Sequence, residues 1–295
     1  MRQRHDSEIA RVFARARRER RAAFVPFLMA GDPDLATTER LVAALAEAGA
    51  DIVELGVPFS DPIADGPVNQ AAAARALAAG ATLERILAGV ARLRARTAVP
   101  IVLFSYFNPI YRYGVARFAE HAAGSGVDAL LLVDLPPEEA EREGLAAVAA
   151  AGLDPIFLLA PTSTAERLRA VKRAGRGFVY FVSRLGVTGE REALPRELGR
   201  QVRAVRASLD LPVAVGFGIS TPQQAAAVAH IADGVVVGSA LVRRAADAAG
   251  AGPDAVVARV VELASGLAGA IRGARAPRGS ALRDRGRARR RDRGA

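Results

Sequence analysis

Asp51-Ile52-Val53-Glu54-Leu55-Gly56-Val57-Pro58-Phe59-Ser60-Asp61-Pro62-Ile63-Ala64-Asp65-Gly66 is the stretch around which the chain is organised. Ile52, Val53 and Leu55 are branched and apolar, as in a strand buried on both faces, and Gly56 and Pro58 end it. Glu54 stands inside that strand, where an unpaired carboxylate is costly, so its charge or its proton is the reason to expect it there. Asp65 follows eleven residues later in a loop punctuated by Pro62 and Gly66, which lets the chain fold back and hold a second carboxylate near the first. Paired carboxylates suit acid and base work. The alternative is a Glu paired within the core and an Asp that opens a turn.

On either side of this stretch, strands and helices alternate. Ala23 to Met29 predicts an apolar strand, and Gly31-Asp32-Pro33-Asp34 a turn; Leu41, Val42, Leu45 and Ala48 then form one face of a helix that Gly49 ends. Helical segments are expected after Asn69 and from Thr82, Val115, Glu138, Thr164, Pro195, Pro222, Ser239 and Asp254. Strands are expected at 101–105, 129–133, 154–159, 178–182, 212–215 and 234–237. Eight apolar strands, each followed by a helix through short connections, predict a parallel (β/α)8 TIM barrel, with a doubly wound sheet as the alternative. Ile9, Val12, Phe13 and Ala16 recur at helical spacing after Ser7, a candidate N-cap, and give an amphipathic helix expected to cover the bottom of the fold.

The 295 residues, 51% of them hydrophobic, suffice for one large core. Residues 1–270 are read as one catalytic barrel domain and 271–295 as an Arg-rich, disordered tail. Nine Arg and two Asp lie between Arg275 and Ala295, a local charge of +7 out of a net +10, so the body is nearly neutral and nucleic acid is not the expected partner. The absence of cysteine excludes disulfides and thiolate chemistry. His5, His121 and His230 are scattered without a metal-ligand spacing, so no metal is expected. No apolar run reaches the length of a membrane span, and the Arg-rich start lacks a signal-peptide core; a soluble cytoplasmic protein is expected.

In either α/β fold the chemistry belongs at the carboxyl ends of the strands. There the sequence offers Ser183-Arg184-Leu185-Gly186-Val187-Thr188-Gly189, then Gly216-Phe217-Gly218-Ile219-Ser220, then Gly238-Ser239 directly opening a helix. The second loop lacks the third glycine of a dinucleotide fingerprint and follows the seventh strand, which argues against a nicotinamide site. Three glycine-bearing loops in succession, ending at a helix N-terminus, predict a phosphate cradle.

Glu54 to Gly66, read as Glu-Leu-Gly-Val-Pro-Phe-Ser-Asp-Pro-Ile-Ala-Asp-Gly, resembles the signature of the tryptophan synthase alpha chain family at all thirteen positions. Phe24-Val25-Pro26-Phe27 with Gly31-Asp32-Pro33, Tyr106 to Ile110, Asp134-Leu135-Pro136, Gly186 to Gly189, Gly216 to Ser220 and Gly238-Ser239 resemble it in the same order, over about residues 7 to 268. The resemblance implies an eight-stranded barrel and a lyase that splits indole-3-glycerol phosphate into indole and glyceraldehyde 3-phosphate by a retro-aldol step. It implies Glu54 as the acid and base, Asp65 as the acceptor of the indole N–H, and Phe27, Tyr106 and Tyr180 as the indole pocket. Gly189, Gly218, Gly238 and Ser239 would bind phosphate, and Thr188 would meet Asp65 when the loops close. The partner implied is a tryptophan synthase beta chain in an alpha2-beta2 heterotetramer, with pyridoxal phosphate expected only in that partner and no cofactor in this chain.

An aldolase ordinarily needs a lysine Schiff base or a divalent metal as electron sink. The sole lysine, Lys172, falls near the end of a helix that returns away from the expected site. Indole protonated at C3 is its own sink, so two carboxylates suffice. Another phosphate-substrate barrel enzyme, and a barrel that only activates a partner, are the remaining alternatives; Leu185 and the tail depart from the family pattern.

Overall fold

A computed structural model describes residues 7–140, 142–182, 193–216 and 218–274. Eight strands, β1 (Ala23–Met29), β2 (Val53–Gly56), β3 (Ile101–Ser105), β4 (Ala129–Leu132), β5 (Asp154–Leu159), β6 (Val179–Val182), β7 (Val213–Gly216) and β8 (Gly234–Val237), pair in sequence order. The pairing is parallel throughout, and β8 returns to β1 to close a barrel. This is the TIM barrel expected from the sequence, and it excludes the open doubly wound sheet.

Alternate residues of each strand divide between two apolar layers. Val25, Ile52, Val102, Leu131, Ile156, Phe178 and Val236 pack inside the barrel. Their neighbours Phe24, Val53, Leu103, Leu130, Phe157, Val179 and Val235 pack outward, against the helices. The two-residue period of a strand therefore fixes the direction of Glu54: it shares the inward face with Ile52, level with Phe27 of β1 and Val102 of β3.

Helix α1 (Glu8–Arg18) plugs the amino-terminal end of the barrel. Ile9, Val12, Phe13 and Ala16 are buried in the interior cluster, and the Phe13 and Phe178 rings lie 5.4 Å apart. Burying each of its large apolar side chains is worth roughly 1.5–3 kcal/mol, which stabilises a helix of a length that is marginal in isolation. Ser7 caps it, accepting from the Ala10 N–H, while its hydroxyl donates to Asp154 at 2.5 Å.

Helices α2 (Leu35–Glu47), α3 (Pro67–Ala78), α4 (Leu83–Leu93), α5 (Phe107–Tyr113), α6 (Val115–Gly124), α7 (Ala146–Ala150), α8 (Ala165–Ala174), α9 (Ala193–Ser208), α10 (Pro222–Ala229), α11 (Ser239–Ala248) and α12 (Pro253–Gly273) form the outer layer. Three differ from the sequence expectation. Helix α3 begins at Pro67 rather than after Asn69, because proline is tolerated at the first helical position, where its missing N–H costs nothing. Helix α5 is additional; Pro109 falls in its first turn, again where no N–H is needed. The helix expected from Glu138 is regular only over Ala146–Ala150, since Gly144 sits at φ +83° and breaks the segment before it. Helix α12 runs to Gly273, past the expected domain boundary at 270. Among the described residues no helix is long and apolar enough to cross a membrane.

Candidate active site

The chain shows how it ordinarily handles buried acids. Asp51, 6% exposed, accepts from both Arg21 guanidinium nitrogens at 2.6 and 2.8 Å and from the Phe24 N–H at 2.9 Å. Asp32, equally deep, is held by Arg75 through two bonds of 2.8 and 2.7 Å. Glu54 is 0% exposed, and neither carboxylate oxygen has a partner among the described residues. Burial alone pushes its carboxyl up from 4.5 to about 8, so at neutral pH it is mostly a protonated acid that gives up its proton just above neutrality. That is the range in which one group serves as both acid and base.

Glu54 faces a cavity of about 450 Å3 at the carboxyl ends of the strands. Asp65 lies on the same wall, carried there by the loop that precedes α3. Its Oδ2 accepts from the Tyr106 hydroxyl at 3.0 Å and its Oδ1 from the Asn69 amide at 3.4 Å. Burial raises the Asp65 carboxyl, and these two hydrogen bonds pull it back. Two carboxylates on one cavity therefore carry different protonation tendencies: among the described residues one has no donor and the other has two.

The rest of the cavity is largely aromatic and aliphatic, with Phe27, Phe104, Leu158, Tyr180 and Ile219 on its wall. Phe27 and Phe104 meet edge to face at 5.3 Å. Such a chamber accepts a flat apolar ring. Gly218, Gly238 and Ser239 line the same space. Gly218 holds φ +72°, a conformation that glycine adopts freely. Helix α11 starts at Ser239 without a side-chain cap, unlike α2, α4, α8 and α10, whose first turns are capped by Asp34, Thr82, Thr164 and Thr221. Open N–H groups at the positive end of a helix suit a phosphoryl group.

Two glycines seat the rings. A Cβ on Gly216 would stand 2.2 Å from the Tyr180 hydroxyl oxygen, and one on Gly56 would stand 2.6 Å from the Phe27 ring. Gly216→Ala is expected to keep the barrel, push Tyr180 into the cavity, and cost about 1–3 kcal/mol of stability together with roughly a tenfold loss in turnover. Denaturation and steady-state rates on the purified variant check this; wild-type values of both would mean the ring has room to move aside.

The tryptophan synthase alpha chain profile matches residues 13–272. The chain belongs to that family. The tryptophan synthase alpha chain of Citrifermentans bemidjiense is 59% identical over 238 residues, 80% of this chain and 88% of that one. The alpha chain of Gluconacetobacter diazotrophicus is 52% identical over 275 residues, covering 91% and 99%. Among solved structures, tryptophan synthase subunit alpha from Legionella pneumophila superposes with a TM-score of 0.84 at 37% identity, covering 90% of this chain and 99% of that one. An aminoacrylate-bound tryptophan synthase from M. tuberculosis gives 0.79 at 39% identity, covering 90% and 99%. The tryptophan synthase alpha chain is a lyase of tryptophan biosynthesis that cleaves indole-3-glycerol phosphate.

Of the residues expected at this family's site, the cavity brings together Glu54, Asp65, Phe27, Tyr180, Gly218, Gly238 and Ser239. Tyr106 is placed differently from its expected position in the ring pocket. It is buried behind Asp65, donating to that carboxylate and accepting from the Ala64 N–H at 2.9 Å, so it supports an acid instead of lining the wall. Thr188, Gly189 and Leu185 lie outside the described residues, as does the tail from Arg275. Phe104, Leu158 and Asn69 are wall residues that the sequence reading did not single out. Phe104 and Leu158 had a legible signal in the inward parity of their strands, whereas Asn69 had none.

Proposed function

We propose that Glu54 is the acid and base, and Asp65 the electrostatic partner, of the indole-3-glycerol phosphate lyase reaction in this chain. The observation that carries this reading is a wholly buried Glu54, without a partner among the described residues, on the cavity that also holds Asp65. Protonated Glu54 gives its proton to indole C3, and the ring nitrogen becomes iminium-like beside ionised Asp65. The C3–C1′ bond then breaks, its electron pair restoring the aromatic ring. The C1′ hydroxyl becomes the aldehyde as its proton passes to the Glu54 carboxylate, so the acid is regenerated within the turnover. Indole and glyceraldehyde 3-phosphate leave. Both proton transfers stay on one side chain, and Phe27, Phe104 and Tyr180 hold the ring.

Gly218, Gly238 and Ser239, with Gly189, are the phosphate-side residues in this reading. The catalytic unit in this reading runs through the end of α12 at Gly273, and the Arg-rich stretch from Arg275 is the tail. The partner is a tryptophan synthase beta chain in an alpha2-beta2 assembly that consumes indole with its own pyridoxal phosphate, in the cytoplasm. That partner would favour closure of the loops, with Thr188, which lies outside the described residues, as the expected companion of Asp65.

Incubating the purified chain with indole-3-glycerol phosphate, alone and with a beta subunit, tests the reading; indole should appear in both, faster with the partner. Failure to release indole in either would remove it. The pH dependence follows from the two acids. The rate at low substrate should fall above a pH of about 8, where Glu54 loses the proton it must donate. On the acid side it should fall as Asp65 becomes neutral, at a pH above the usual aspartate range because burial raises that carboxyl. A basic limb unchanged in Glu54→Asp and Glu54→Gln would assign it to another group.

A further inference from the structure

Among the described residues, the buried oxygens that lack a hydrogen-bond partner belong to two side chains, Glu54 and Asn69. Both line the same cavity. The unpaired Glu54 is explained by the reaction; the unpaired Asn69 Oδ1 is not. Asn69 stands in the first turn of α3, four residues beyond Asp65, and its Nδ2 donates to Asp65 Oδ1 at 3.4 Å. That bond sets the orientation of the amide, because only its NH2 group can serve a carboxylate. The carbonyl is thereby committed to a donor other than Asp65, and the protein supplies none among the described residues.

We propose that Asn69 is a substrate-positioning residue whose side-chain carbonyl accepts a hydrogen bond from the indole ring N–H, beside the one accepted by Asp65. The inference rests on the reading of the cavity given above and adds a contact to it. A ring N–H that reaches Asp65 is the donor nearest to an amide already bonded to Asp65. Its acidity rises as the ring is protonated at C3, so a preset carbonyl dipole binds it more strongly then. A neutral acceptor does this without a second negative charge beside Asp65, which would raise that carboxyl further. An unsatisfied buried carbonyl costs free energy in the resting protein, and the substrate N–H removes that cost on binding.

The test is binding of a non-cleavable 3-alkylindole phosphate and of its N-methyl counterpart to the full chain and to Asn69→Leu, which is close in volume and has neither donor nor acceptor. The N–H ligand should bind about tenfold more weakly to the variant, and the N-methyl ligand within about twofold of wild type. Asn69→Ala carries the same expectation should Leu disturb packing, with the melting transition as the check on folding. Equal affinity of variant and wild type for the N–H ligand overturns the proposal. Parallel losses for both ligands do so too, because they reduce Asn69 to a packing residue. If wild type itself binds neither ligand, the reading of the cavity fails and the proposal falls with it; if wild type binds the N–H ligand and cleaves indole-3-glycerol phosphate while Asn69→Leu shows no loss specific to the N–H ligand, only the proposal falls.

Discussion

Glu54→Gln is expected to fold as the parent does and to release indole from indole-3-glycerol phosphate at least about a hundredfold more slowly, the size of effect that removal of a positioned acid and base produces. Gln keeps the volume of a side chain on the inner face of β2 and the packing of its neighbours Ile52, Phe27 and Val102. It has no proton to exchange near neutrality, so both the protonation of C3 and the acceptance of the hydroxyl proton lose their agent. Asp65→Asn should be nearly as harmful, because an amide cannot offset the positive charge that develops on the ring. Single-turnover measurement of indole release separates these losses from weaker binding; a folded Glu54→Gln protein with near-normal turnover would contradict the assignment.

The same residue should make the protein less stable than its fold allows. With a carboxyl raised from 4.5 to about 8, the native state keeps the Glu54 proton over a range in which the unfolded chain has released it. Stability therefore declines as pH rises through that window, by up to about 1.4 kcal/mol per pH unit from this group. The contribution is intact below the unfolded value and lost as the folded value is passed. Replacing Glu54 with Leu removes the dependence, so the variant's stability advantage over wild type should be about 3 kcal/mol larger at pH 7 than near pH 4.5. Asp154, raised to about 6 by burial, contributes with the same sign in both proteins and cancels in the comparison. Denaturant unfolding across this pH range measures the difference; parallel curves for wild type and Glu54→Leu would mean that Glu54 is not held neutral. Stability lost at a reacting group is the usual accompaniment of function.

The barrel was legible because its information is one-dimensional. Strand parity, apolar runs and Gly or Pro punctuation occur along the chain, and they gave the position of β2 and the inward direction of Glu54 before any neighbour was known. Asp65 was legible for a related reason, since Pro62 and Gly66 bracket it in a loop after a strand. What escaped depends on lateral neighbours. Tyr106 reads as one more aromatic near a strand end, and only the fold shows that it donates to Asp65. Gly56 reads as a strand terminator and Gly216 as the start of a phosphate-side loop, and only the ring positions of Phe27 and Tyr180 give them a steric task. Asn69 lies in an alanine-rich helix start where any polar residue passes as solvated surface. The interrupted helix before Ala146 escaped because a single Gly144 outweighed an otherwise helical composition.

Titration of the Glu54 carboxyl itself, by carbon NMR of protein labelled in its glutamates and referenced to Glu54→Gln, tests the central claim most directly. One glutamate resonance, absent from the variant, should titrate near pH 8. If every glutamate titrates in the ordinary range near 4.5, Glu54 is an ionised, solvated carboxylate, and the proton chemistry assigned to it has no basis.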